Sequence, residues 1–276
     1  MTDITIYFLF FFLILISILG YGVVLKSSFK YLIKENCFGY TGIIGVFFFI
    51  IYSYISNFFI SHNNLHNIIF ILLGIIFFFY FYKDRFNILN KEILKTLFLF
   101  SILSVSIFIF KSHDDFAYYH FPYSYYLTEQ KMIIGIGQIL QGFRTPSSIF
   151  YFNSLLYLPL VEYSLFNFFP VYILGFSNLI LIKKIFKITS KPSNLNYLSL
   201  LVFIFINIFF YRMSEHGTDR SAQILIFLLI IEILNQVNKL KIDNKNLHLI
   251  YILTAIIISL KAFYILYLLF LIPLFF

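Results

Sequence analysis

Long apolar stretches, separated by short polar segments, constrain this fold more than any other feature of the sequence. The first is ITIYFLFFFLILISILGYGVVL at residues 4–25. A helix needs about 20 mainly apolar residues to cross a bilayer core. Backbone groups in hydrocarbon must be paired within the segment, and these stretches lack the alternating pattern of a membrane barrel. The sequence therefore predicts membrane-crossing helices.

The composition agrees with a membrane protein. Hydrophobic residues make up 61% of the chain and charged residues 12%, against about 25% charged in soluble domains. The fold class is therefore all-α, a polytopic transmembrane helical bundle with about eight or nine spans. The predicted spans are residues 4–25, 39–60, 68–82, 96–110, 166–182, 195–211, 222–238, 248–260 and 262–276.

Lysine and arginine predict which ends of the spans face the cytoplasm. Residues 26–38, 83–95, 183–191 and 239–245 carry most of these cations, and basic loops stay inside. The long polar insertion at 111–165 then faces out. The chain as a whole predicts a multi-pass integral membrane protein.

We expect one membrane domain over residues 1–276. It has four N-terminal spans in 1–110, the outer loop in 111–165 and further spans in 166–276. The chain ends in LFLIPLFF without a polar tail, so we expect a C-terminal truncation of a longer protein.

Within the outer loop, two short helices are expected. Tyrosines of the stretch FAYYHFPYSYY suit an interfacial helix, with rings at headgroup depth. Pro146, Pro159 and Pro170 break the apolar sequence that follows. We therefore expect a short interfacial or re-entrant helix near 147–158.

Asp114 and Asp115 open the outer loop as an acidic pair. Adjacent carboxylates repel, so such a pair usually needs a proton, a cation or a metal. One aspartate would serve as a general base toward an acceptor hydroxyl, or the pair would hold a divalent metal such as Mg or Mn. The alternative is a solvated loop whose aspartate caps a helix.

Further polar residues collect on the same predicted face and suit contacts with a phosphate or another substrate group. Each also has a structural reading as an interfacial, capping or snorkelling side chain. These candidates are His113, His120, Arg144, His216, Asp219, Arg220 and Lys261.

Several classes of function are excluded by what the sequence lacks. The single cysteine, Cys37, permits no intramolecular disulfide and no cysteine-based metal cluster. Basic residues do not interleave with a stacking platform, so nucleic acid is not an expected partner. The sequence has no H-E-x-x-H spacing, so a zinc hydrolase is not expected.

The stretch DDFAYYHFPYSYYLTEQKMIIGIGQIL, with EHGTDRSAQIL and ISLKAFYILYLL later in the chain, resembles a bacterial branch of the GT-C class of integral-membrane glycosyltransferases. The resemblance covers roughly residues 96–276. It implies a transferase of a bacterial inner (cytoplasmic) membrane that uses a polyprenyl-phosphate-linked sugar at the outer membrane face. By the same resemblance, Asp114 or Asp115 would be the catalytic base or a metal ligand.

The sequence thus favours transfer of a sugar from a polyprenyl-phosphate donor to a cell-envelope acceptor. Besides this donor, the expected partner is the lipid bilayer. Two alternatives stay open: a transporter or flippase of lipid-linked glycans, which needs charges within spans and broken helices, and a non-catalytic membrane scaffold.

Overall fold

The protein is all-helical in the computed structural model, which describes residues 4–28, 37–83, 86–108, 115–189, 192–209, 218–238 and 244–274. Within these ranges the extended structure is a single isolated bridge between Leu158 and Glu162. The α-helices are α1 (Ile4–Ser28), α2 (Phe38–Phe59), α3 (Asn64–Tyr82), α4 (Phe86–Ser104), α5 (Phe121–Glu129), α6 (Ile136–Ile139), α7 (Ser148–Ser154), α8 (Phe169–Ile185), α9 (Asn194–Phe209), α10 (Thr218–Val237) and α11 (Asn244–Leu260).

Four of these helices, α1, α2, α3 and α10, are long and apolar enough to cross a membrane. Shorter apolar helices cover most of α9 and α11. The all-helical class predicted from the sequence is therefore confirmed. Most of the helices also begin and end close to the apolar stretches, because an apolar run of this length in lipid must pair its backbone groups within one helix.

Close packing of α1 against α2 and α3 depends on glycine. A Cβ atom on Gly20 would overlap the backbone of Gly74, and one on Gly45 would overlap the backbone of Ile18. Small residues let helix backbones approach where lipid gives no hydrophobic drive for association. Larger side chains at these two positions would push α1 away from its neighbours.

Two elements differ from the sequence-based expectation. The helix α4 begins at Phe86, ahead of the apolar stretch at 96–110, and continues into a 3-10 turn at Val105–Phe108. Hydropathy marks the part of a helix that suits lipid, whereas a charged stretch can still be helical in water. The last apolar stretch forms a 3-10 helix, Ala262–Leu274, instead of an α-helix.

Lysine side chains of α4 and α8 lie near one end of the bundle. Lys184 at the end of α8 forms an ion pair with Glu232 of α10, with an N–O distance of 3.0 Å, and Tyr40 of α2 donates to the same carboxylate at 2.9 Å. The Nζ atom of Lys95 in α4 lies 5.9 Å from the ring centroid of Phe186. These lysines of α4 and α8 therefore lie at the same end of the bundle as the beginning of α2.

The segment between α4 and α8 folds inward at the opposite end. All seven residues of α7 are buried, and a polar network ties this helix to the α2–α3 turn. His62 in that turn bonds the hydroxyl of Ser154 through Nδ1 at 2.7 Å and that of Ser56 through Nε2 at 2.8 Å. His62 is completely buried and stacks on His66, with ring centroids 5.1 Å apart.

The burial of His62 makes stability depend on pH. Burial, and next the charge of His66, lower the pKa of His62 to about 3, whereas an unfolded histidine titrates near 6.5. The folded pKa lies below the unfolded one, so protons favour the unfolded chain. Stability is therefore complete above about pH 6.5 and falls as the pH drops toward 3.

We expect the chain in detergent to lose about 2 kcal/mol of unfolding free energy between pH 7 and pH 5 through this group. Thermal unfolding at a series of pH values measures the loss. His248→Gln is the matched control, because His248 is exposed and lies outside this network. A flat profile between pH 7 and pH 5 would contradict the assignment of a buried neutral His62.

Candidate active site

Asp115 precedes a turn of π-helix, Phe116–His120, that leads into α5. The N–H groups of Tyr119 and His120 both donate to the Asp115 carbonyl, at 3.1 and 3.3 Å. Pro122, which has no N–H to continue the ladder, stands at the beginning of α5. Such π-turns occur frequently at functional sites, and this one places Asp115, Tyr119 and His120 beside the same cavity.

Two serines attach the end of α11 to the beginning of α7. The Ser147 hydroxyl donates to the Leu260 carbonyl at 2.6 Å, and the Ser259 hydroxyl donates to that of Ser148 at 2.9 Å. Lys261 follows directly after this attachment. Its backbone is therefore held where the buried helix α7 meets the outer segment.

These elements enclose a cavity of about 480 Å³, which we call the charged cavity. Its polar lining comes from the π-turn, the segment before α7, the beginning of α10 and the end of α11. The side chains that line it include Asp115, Tyr119, His120, Arg144, Asp219 and Lys261. The volume suits a small polar group such as a sugar phosphate better than a whole lipid.

Lys261 and Asp219 form an ion pair across the charged cavity. The Nζ atom of Lys261 lies 2.9 and 3.2 Å from the two carboxylate oxygens, and the Tyr264 hydroxyl donates to one of them at 2.8 Å. The pair is about half exposed, so solvent limits its contribution to stability to about 1 kcal/mol or less. Its main effect is to fix the position of the ammonium group in the wall.

Elsewhere in the lining of the charged cavity, the carboxylate of Asp115 accepts a hydrogen bond from a neutral phenol. The Tyr119 hydroxyl donates to the Asp115 carboxylate at 3.4 Å. Burial, and next the charge of Asp115, raise the pKa of Tyr119 above its usual range. Tyr119 therefore stays protonated and holds the carboxylate toward the cavity, while His120, 4% exposed, packs edge-on against the Tyr119 ring.

Arg144 lies between the charged cavity and a second cavity of about 550 Å³. Its Nε atom donates to the Gly137 carbonyl at 3.0 Å, a bond that leaves the terminal guanidinium nitrogens for other partners. The second cavity is lined mainly by apolar groups, among them Met132, Ile133 and Phe143. A guanidinium at such a boundary suits the anionic head of an amphiphile.

Five of the residues named from the sequence line the charged cavity: Asp115, His120, Arg144, Asp219 and Lys261. Arg220 follows Asp219 in the sequence but does not line the charged cavity, and one of the terminal nitrogens of Arg220 is buried. The remaining candidates, His113, Asp114 and His216, lie outside the described residues.

Sequence reasoning missed the roles of two tyrosines. Tyr119 was expected to belong to an aromatic belt, yet it bonds Asp115 four residues before it. Tyr264 had no assigned role and bonds Asp219. The helical spacing between Asp115 and Tyr119 was a usable signal, whereas the contact of Tyr264 with α10 was not visible in the sequence.

The carboxylates described here do not assemble a metal site. Within the described ranges no group of three or more His, Cys, Asp and Glu side chains is arranged to hold a metal ion. Asp115 and Asp219 both line the charged cavity, but both oxygens of Asp219 accept from Lys261. Asp114 lies outside the described residues, and a Mg or Mn ion also takes ligands from water and substrate phosphates, so the metal site at Asp114 and Asp115 stays a prediction.

Comparison with known proteins gives a family and no activity. No curated protein and no solved structure matches the chain. One family model matches residues 4–276, which is nearly the whole sequence. The chain therefore belongs to the family described as a domain of unknown function, DUF8201.

Proposed function

We propose that this protein is a membrane glycosyltransferase of the GT-C kind, which moves a sugar from a polyprenyl-phosphate donor to a cell-envelope acceptor. The observation that carries the proposal is the convergence of Asp115, His120, Arg144, Asp219 and Lys261 on one cavity. These residues come from distant parts of the chain, and together they supply a carboxylate and cations. Glycosyl transfer from a phosphate needs both.

In the proposed reaction, the oxygen of the acceptor hydroxyl attacks the anomeric carbon of the donor sugar, and Asp115 takes the proton of that hydroxyl. A bond forms between that oxygen and that carbon, and the bond from the carbon to the donor phosphate breaks. The lipid phosphate leaves as an anion beside Arg144 and Lys261, whose charges stabilise it. Tyr119 keeps Asp115 oriented, and Asp219 keeps Lys261 in the wall.

The membrane arrangement belongs to the same proposal. About eight or nine apolar segments span an inner membrane as one domain, and the charged cavity opens at its outer face. Lys95 and Lys184 lie near the end of α8, away from the cavity, which supports this orientation. The π-turn and α5 then lie at headgroup depth, where the phosphate of a lipid-linked donor is found.

The mechanism routes no step through a metal. A Mg or Mn ion that Asp114 and Asp115 hold together is the alternative, and chelation distinguishes the two. On our proposal, EDTA leaves transfer unchanged. Loss of transfer on chelation, with recovery on added Mg or Mn, would instead assign Asp115 to a metal.

Transfer by the purified chain in liposomes tests the proposed function. The donor is a polyprenyl phosphate that carries a radiolabelled sugar, and the acceptor is a lipid extract of bacterial envelopes. We expect label to move to the acceptor fraction in a protein-dependent manner. Movement of the intact donor across the bilayer without transfer would favour the flippase, and neither activity would favour the scaffold.

Lys261→Ala should weaken use of the donor. The ammonium contributes a charge beside the leaving phosphate, and a charge-assisted contact is worth about 1.5–3 kcal/mol, so kcat/KM should fall about tenfold or more. Initial rates at varied donor concentration measure the loss. Lys131→Ala is the matched control, because Lys131 is exposed and does not line the charged cavity; equal losses in both variants would contradict a specific role for Lys261.

A further inference from the structure

The segment after α5 exposes apolar side chains that the core does not cover. We call residues 132–140, MIIGIGQIL, the isoleucine loop. Ile134 and Ile139 are 83% and 84% exposed, and Ile133 and Leu140 are 50% and 42% exposed. Scattered apolar residues are normal on a surface, but a contiguous exposed group marks a contact with another apolar phase.

The shape of the isoleucine loop is fixed by its own backbone. Gly135 has φ +89°, in the left-handed region that favours glycine, and the Gln138 N–H donates to its carbonyl at 2.9 Å. Arg144 bonds the Gly137 carbonyl, and a Cβ atom on Gly137 would lie 2.9 Å from the Arg144 Cα. The loop therefore holds Ile134 and Ile139 outward as a defined surface.

The attachment of the loop sets its depth relative to the membrane. The Met132 N–H donates to the Asn57 carbonyl at 2.9 Å, in the last turn of α2. That helix is long and apolar enough to cross a membrane, and its last residues, Phe58 and Phe59, are themselves exposed. The isoleucine loop therefore begins beside the last turn of α2, at the depth where that helix would leave the bilayer.

Charge at the borders of the loop agrees with a lipid surface. Lys131 precedes it, Arg144 follows it, and both side chains are exposed. Cations beside inserted apolar side chains meet lipid phosphates, as in interfacial segments. In contrast, the tyrosine-rich helix α5, which the sequence suggested for this contact, buries Tyr123 to 4% exposure.

From these observations we infer that the isoleucine loop inserts Ile134 and Ile139 into the adjoining leaflet of the bilayer, with Lys131 and Arg144 at its headgroups. The loop is also one wall of the apolar cavity beside Arg144. Insertion would therefore open that cavity to the lipid phase. The inference depends on membrane embedding and goes beyond the proposed transferase activity.

Single-tryptophan variants test the inference, because the natural chain has no tryptophan. Ile134→Trp and Ile139→Trp are made in the full chain and reconstituted in phosphatidylcholine–phosphatidylglycerol vesicles. Leu72→Trp, at an exposed position within α3, is the lipid reference, and Thr189→Trp, exposed after α8, is the aqueous reference. Tryptophan fluorescence is quenched with brominated acyl chains and, separately, with acrylamide.

We expect brominated chains to quench both loop variants as much as the lipid reference, and acrylamide to quench them less than the aqueous reference. Strong quenching by acrylamide with little by brominated lipid would overturn the inference. Protection from both quenchers would also overturn it, because a protein partner or second copy would then cover the loop. All three outcomes are read without any transferase activity, so failure of the proposed function leaves the test intact.

Discussion

Replacing Asp115 with asparagine is expected to abolish sugar transfer while the fold stays intact. Asparagine has the same shape and still accepts the Tyr119 hydroxyl, but it cannot take a proton. General base catalysis contributes about 100- to 10,000-fold to a rate, so transfer should fall by that factor. Initial rates of the purified variant in liposomes, at saturating donor, measure the loss.

The control for Asp115→Asn is Glu129→Gln. Glu129 lies on α5 after the same π-turn, is exposed and does not line the charged cavity. Thermal unfolding in detergent should give equal midpoints for both variants and the natural chain. Wild-type transfer by a folded Asp115→Asn would remove Asp115 as the base and direct attention to Asp114.

Asn67→Leu is expected to destabilise the protein more than any substitution at the cavity. The Asn67 amide donates to the carbonyls of His62, Ser154 and Tyr157 at 2.8–2.9 Å, and its oxygen bonds Nδ1 of His66 at 2.9 Å. Leucine fills a similar volume but removes these bonds from the carbonyls of His62 and Tyr157 and from the imidazole of His66, while the Ser154 carbonyl keeps the Tyr157 N–H at 3.3 Å. Each unsatisfied buried group costs about 1–3 kcal/mol.

We therefore expect Asn67→Leu to cost about 3–5 kcal/mol of unfolding free energy, with relaxation recovering part of the sum. Thermal or denaturant unfolding in detergent measures it. Asn194→Leu is the matched control, because Asn194 is exposed at the first residue of α9. A loss below about 1 kcal/mol for Asn67→Leu would mean that the network does not hold α7 to the α2–α3 turn.

Local sequence determined the positions of most helices. The stretch at residues 39–60 is mainly apolar and became α2, Phe38–Phe59, within which the hydroxyls of Ser53 and Ser56 bond carbonyls of the same helix. The beginning of α4 was missed, since its first part carries Lys91, Glu92 and Lys95 and is not apolar. Hydropathy and the spacing of apolar residues therefore locate the part of a helix that faces lipid. They do not locate a charged part of the same helix that extends into water.

The candidate site was predictable in content but not in its pairings. Charge asymmetry along the sequence assigned Asp115, Asp219 and Lys261 to one face. That Lys261 contacts Asp219, 42 positions earlier, follows from the packing of α11 beside α10 and from the attachment of Leu260 to Ser147. Such contacts depend on tertiary structure, which no local pattern encodes.

The proposed function requires that the charged cavity opens away from the cytoplasm. The direct measurement uses Thr145→Cys, at an exposed position in the cavity wall, and Thr189→Cys, exposed after α8, each with Cys37→Ser. Intact cells are treated with a membrane-impermeant maleimide. We expect the cysteine at 145 to react from outside and the one at 189 to react only after permeabilisation; the reverse pattern would contradict the proposed site and its function.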